Sequence, residues 1–117
     1  MQIYKLVRAL LAGDLLTARQ FVTDARRSQV QWQQIAAPSG LSDIELAVAA
    51  AIVELFATRA GVTPPVWTTA VGAIPELLIL DPGLEDMPRS FARAKNFGPE
   101  SLLKRNIVAL PDFLDVP

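Results

Sequence analysis

A compact all-α bundle is the fold this 117-residue chain predicts, with about five to six helices around a central Ala-rich helix at about 42–60. An extended Pro-rich segment over about 62–80 is expected to lie against it. Three observations carry this expectation. Apolar residues recur at helical spacing as far as Ala25, a capping signature opens a long apolar helix at Ser42, and prolines crowd the second half. Hydrophobic residues make up 51% and charged ones 20%, which argues against bulk disorder. A chain of this length buries one core, so a single domain over 1–117 is expected.

Taken in order, Ile3, Leu6, Val7, Leu10 and Leu11 form a first apolar stripe, with Lys5 and Arg8 between them. Gly13 breaks the run and Asp14 can cap a second helix. The second stripe is Leu15, Ala18, Phe21, Val22 and Ala25, while Arg19, Asp24, Arg26 and Arg27 fall largely off it. Together they predict a helical hairpin. Val30, Trp32, Ile35 and Ala36 indicate a short third helix ended near Pro38.

The stretch WQQIAAPSGLSDIEL, residues 32–46, has the outline of a DNA-reading helix-turn-helix. Its chemistry argues otherwise. Pro38 interrupts the first helix, and the would-be recognition helix opens with Asp43, Ile44 and Glu45 where base readers carry Arg, Lys, Asn or Gln. Ser42 and Glu45 instead match a capping box, flanked by Leu41 and Leu46 at the two staple positions. The helix runs to Gly61, a residue suited to the left-handed position past a helix end, and Arg59 complements its last turn. Because it is apolar almost all round, it should be the most buried element. Its alanines allow close packing in the core; a helix-mediated homodimer seam is the alternative.

Beyond Gly61, Pro64-Pro65 impose extended backbone, and VWTTAVG reads as an extended cover with no evident partner strand. Asp81-Pro82 opens a short helical turn. Helices are predicted over Pro88–Phe97 and Pro99–Asn106, and the apolar tail IVALPDFLDV is expected to dock back on the domain.

Composition excludes much chemistry. The chain has no Cys and no His, which removes disulfides, thiolate nucleophiles, imidazole catalysis and the usual zinc sites. The glycines are isolated and form no phosphate loop. Glu45 and Glu54 fall on opposite sides of one helix, and Glu85-Asp86 fit no metal-loop spacing. Glu54, alone among carboxylates, lies in a strongly apolar stretch. Burial could raise its pKa, but pairing with an Arg, or a place on the helix's exposed edge, is the preferred reading. No enzyme and no cofactor are expected; a small-ligand-binding helical protein with a cavity between helices near Glu54 is an alternative.

The net charge is −1, so DNA binding is not expected. The C-terminal third is nonetheless locally basic, with Arg89 and Arg93 four apart on one helical face, then Lys95 and Lys104-Arg105. That patch is either a solvated face with internal ion pairs or a docking site for an acidic partner or RNA. Phe91 and Phe97 nearby read as core residues. Trp67 reads as an anchor for the extended segment, with an interface role as the alternative. Trp67, Arg89, Arg93, Lys104 and Arg105 are the binding residues put forward. The N-terminus carries charges within its apolar stretch and is not a signal peptide, and no segment is apolar for long enough to span a bilayer. A cytoplasmic protein without membrane contact is expected.

The stretches RALLAGDLLTARQFVTDARR, ELFATRAG, PPVWTTAVG, LDPGLEDMPRSF and KRNIVALPDFLDV together resemble a group of small bacterial proteins of uncharacterised activity. Related C-terminal halves have an A-x-R-x-G helix end, a Pro-Trp-Thr segment and an R-R-N/G tail. These resemble the portions attached to helix-turn-helix domains of Cro-repressor type, found near nucleotidyltransferase toxins. The resemblance implies an antitoxin-like or regulatory partner protein, with a toxin-like enzyme as its partner and no catalytic residues. No separate DNA-binding domain precedes the shared portion here, so a transcriptional role is not expected.

Overall fold

Gly13, at φ +74°, makes the corner between α1 (Ile3–Leu11) and α2 (Leu15–Arg27) in the computed structural model, which describes residues 2–115. The Asp14 carboxylate accepts the Thr17 backbone N–H at 3.1 Å and caps α2. The hairpin turns Ile3, Leu6, Val7 and Leu10 of α1 and Ala18, Val22 and Ala25 of α2 inward, as their spacing implies. Both helices end with the residue at C″ donating back to the carbonyl at C3: Asp14 to Ala9 and Val30 to Ala25. In α2 the left-handed position is taken by Gln29, a non-glycine.

The expected third helix is only a 3-10 turn, Trp32–Gln34. Ile35 is already extended (ψ 122°), and Pro38 disfavours helical backbone at the residue before it. The turn is held by tertiary contacts: the Trp32 ring stacks on Phe56 at 4.8 Å, and the Ile35 carbonyl accepts from the Trp67 indole at 2.8 Å.

The central helix, α3 (Asp43–Arg59), opens with both halves of the capping box: Glu45 N–H to Ser42 Oγ at 3.2 Å and Ser42 N–H to Glu45 Oε1 at 2.9 Å. Every residue from Ala47 to Ala57 is buried, under α1, the Trp32 turn, α4 (Val66–Thr69) and α6 (Glu100–Leu103). Gly61, at φ +71°, ends the helix, with Val62 N–H bonded to Ala57 O. The alanines are therefore used for packing within one chain. Ala47, Ala49, Ala50 and Ala51 are each at most 1% exposed in the single chain.

Residues 62–80 are extended apart from bends and the single helical turn of α4. They supply β1 (Leu78–Ile79), which pairs in parallel with β2 (Ile107–Val108) in the register Leu78 to Ile107 and Ile79 to Val108. The helix expected over Pro99–Asn106 is thus shorter. It stops at Leu103, and Asn106 at φ +67° turns the chain into β2; asparagine is among the side chains that tolerate this conformation.

A 3-10 turn at Leu84–Asp86 precedes α5 (Pro88–Phe97), which packs outside the strand pair through a small cluster of Leu84, Ala94 and Val108 with half-buried Phe91. In the tail, Ile107 to Ala109, Phe113 and Leu114 are buried, whereas Val116 lies outside the described residues. The radius of gyration is 13.2 Å, close to the ~13 Å expected for a folded chain of this length. Among the described residues, no helix is long and apolar enough to cross a membrane.

Gly98 is where α5 closes against the strand that continues from β2. A Cβ there would press into the carbonyl oxygens of Ala94 and Ala109, both backbone atoms that cannot swing aside. Gly98→Ala is therefore expected to lower stability by about 2 kcal/mol or more through overpacking, read as a reduced urea midpoint. An unchanged midpoint would show that this seam is loose.

Candidate functional site

Glu54 sits mid-way along α3, where its side chain is only 7% exposed. Arg105, directly after the turn that ends α6, is 1% exposed and meets it with a two-pronged contact: NH2 to Oε1 at 2.9 Å and NH1 to Oε2 at 3.2 Å. The rest of the guanidinium is also occupied. Nε donates to Val71 O at 3.1 Å, NH1 to Ser101 O at 2.8 Å and NH2 to Thr68 O at 2.7 Å. With five donors on a guanidinium, none is left over. Lys104 Nζ adds a third cationic contact to Glu54 Oε2 at 2.8 Å from a side chain 48% exposed.

The cluster ties α3, α4 and α6 together and neutralises carbonyls at the ends of two short helices. Ser101 Oγ, donating to Ala51 O at 2.9 Å, fastens α6 to α3 a second time. Burial is the largest influence on Glu54 and pushes its pKa up. Hydrogen bonds and charge from Arg105 and Lys104 together outweigh it, so the carboxyl is held below its ordinary value. Glu54 does pair with an Arg, and the raised pKa considered from sequence is reversed by that pair. A carboxylate held ionised and fully bonded is poorly suited to act as a general base.

The five residues put forward for binding separate into distinct settings. Arg105 is corrected from a contact residue to an internal one, because its guanidinium is enclosed and fully bonded. Trp67 is half-buried against the core with its N–H on Ile35 O, which is the anchoring role. Lys104 is exposed along its stem but aims its ammonium at Glu54. Arg89 and Arg93 lie exposed on α5, and neither has an ion-pair partner among the described residues.

Phe97, read as core, is 72% exposed. It closes α5 just before Gly98, where the chain turns toward α6, and so its ring is left outside both apolar clusters. Beside it runs a groove of about 470 Å³ lined by Pro64, Pro99, Pro111, Thr69 and Lys104, with Glu54 among its lining residues. The basic pair was legible from spacing, but the exposed aromatic was not. The only sequence signal was its place directly before Gly98-Pro99, where a helix end leaves a large side chain unsupported.

Two other features lack the parts of a reactive site. Among the described residues, no three His, Cys, Asp or Glu side chains gather as metal ligands. Asp81 is half-buried and accepts Leu110 N–H at 2.7 Å; burial raises its pKa against that bond, and the nearby Asp112 charge adds to the rise. Comparison with family models, with curated proteins and with solved structures returns no match for this chain.

Proposed function

We propose that this chain is a small non-catalytic interaction module of the cytoplasm, an antitoxin-like or regulatory partner that works by covering surface on another protein. The observation that carries this reading is the exposed face of α5. Phe97 is left in solvent at the end of the α5 face that carries Arg93 one turn before it and Arg89 two turns before it, whose charges are unpaired among the described residues. Large exposed apolar side chains flanked by arginine are the usual ingredients of a binding face. The buried polar side chains argue in the same direction: Glu54, Thr68, Ser101 and Arg105 are all hydrogen-bonded within the fold. Chemistry at these positions would have to break bonds that hold the helices together.

The nucleic-acid alternative uses the same face, since α5 carries Arg89, Arg93 and Lys95 and no acidic side chain. It is the weaker reading. Lys95 covers Phe91 at 5.6 Å, which leaves Phe97 as the single open stacking platform on the helix. The deciding experiment is co-purification from the native host together with deletion of the gene. A stoichiometric complex with the neighbouring gene's product, and a growth defect when the chain alone is deleted, are expected. A chain that runs alone, with deletion leaving growth unaltered, would end the interaction reading.

A further inference from the structure

We propose, resting on that interaction reading, that the groove beside Phe97 receives an acidic segment of the partner which inserts one apolar side chain against the Phe97 ring. Three observations converge on this occupant.

The first is shape. The groove's walls include Pro64, Pro99 and Pro111, whose rings fix the local backbone and give a largely preformed cleft. At about 470 Å³ it has room for one large side chain and its neighbours rather than a folded domain.

The second is charge. The groove's charged lining is Glu54, Glu100, Arg59 and Lys104, and Arg105, paired with Glu54 from behind, leaves the set with one positive charge. From the groove the positive character continues along α5. Arg89, Arg93 and Phe97 succeed one another at four-residue spacing on one side of the helix; α5 itself contains no acidic residue, and Glu85 and Asp86 lie in the turn before it without an ion pair to either arginine among the described residues. A partner segment must therefore be negative on the side of Arg93 and Arg89.

The third is spacing. Eight residues of helix from Arg89 to Phe97 rise about 12 Å, the length of about four residues of extended chain. The occupant is thus a short acidic stretch whose carboxylates fall within about four positions of an apolar anchor. Nucleic acid fits less well, because phosphate contacts would find one aromatic platform. A second copy of this chain would have to bring up its own acidic surface while the chain as a whole carries only −1.

The test uses the full chain and fluorescence anisotropy with three dye-labelled peptides of equal length. One is acidic with a central Phe, one acidic with Ala in its place, and one has Lys for the acids. Saturable binding of the first is expected, at least tenfold tighter than either of the others. Phe97→Ala should weaken it at least tenfold, and the double change Arg89→Glu with Arg93→Glu should reverse the preference toward the Lys peptide. All these positions are exposed, so thermal melts of the variants should match the parent and exclude misfolding.

Equal affinity for the Phe and Ala peptides, or no saturable binding at millimolar peptide, would overturn the proposal. So would displacement of the bound peptide by a single-stranded oligonucleotide at lower concentration, or peptide-free dimerisation abolished by Phe97→Ala. The two readings fail separately. A native partner that still co-purifies with both surface variants, while no peptide binds, removes this groove and leaves the interaction module standing.

Discussion

Arg105→Met is expected to cost about 3–5 kcal/mol, a large fraction of the ~5–15 kcal/mol that holds a domain together. Methionine keeps the apolar stem and loses all five donors. Glu54 would remain buried with only Lys104 to face it, and the carbonyls of Thr68, Val71 and Ser101 would lose their partner. Breaking a buried pair from one side costs more than the pair itself contributes, because an uncompensated charge is left in a poorly solvated place. Arg105→Lys should recover little. An ammonium offers three donors from one nitrogen and cannot span a carboxylate and three separate carbonyls. Lys104→Met is the control: its side chain is half-exposed, so solvent screens the contact and a loss of at most about 1 kcal/mol is expected. Urea midpoints at constant slope measure all three. A loss below about 1 kcal/mol for Arg105→Met would mean that the cluster is not what joins α3, α4 and α6.

The same residue marks the boundary of what the sequence makes legible. Features whose cause lies within a few residues are readable. Ser42 with Glu45 announces the start of α3, Gly61 its end, and Gly13-Asp14 the hairpin corner, and each rests on a local hydrogen bond. The all-round apolar character of α3 also announces its central place. Features whose cause is distant are not. Arg105 and Glu54 are separated by 51 positions, and nothing local distinguishes Arg105 from the exposed Lys104 beside it. Glu54 in an apolar run did signal that a cation was needed, without saying which. The β1–β2 pair is two residues long in each strand, below any periodicity that could be seen. The Trp32–Gln34 turn is held by Phe56, more than twenty positions from Trp32, and by Trp67, more than thirty from Ile35. Phe97 has the composition of a core residue and is exposed only because α5 ends there.

Glu54→Gln is expected to destabilise the fold by about 3 kcal/mol or more and to remove part of its pH dependence. Gln has the shape of Glu but one of its two terminal atoms is a donor. In one orientation its NH₂ meets Arg105 NH2, in the other it meets Arg105 NH1 and Lys104 Nζ, so a donor faces a donor either way. Protonating Glu54 in the parent makes the same change with acid, which is why its folded pKa lies below the ordinary value. For a depressed carboxylate the stabilisation is complete above the unfolded pKa, about 4.3, and is lost as pH falls through the folded pKa. Asp14 and Glu45 are lowered too, each by a hydrogen bond at a helix start, and weaken the fold in the same direction on acidification. Asp81 is raised and acts oppositely, its protonated form being favoured by folding. Those three contributions are common to parent and variant, so they cancel in the difference. Stability measured by urea from about pH 7 down to about pH 3 should therefore give two curves that are separated and parallel at neutral pH and converge below about pH 4.3. Curves that stay parallel to the acid end would show that the Glu54 proton is not taken up between Arg105 and Lys104.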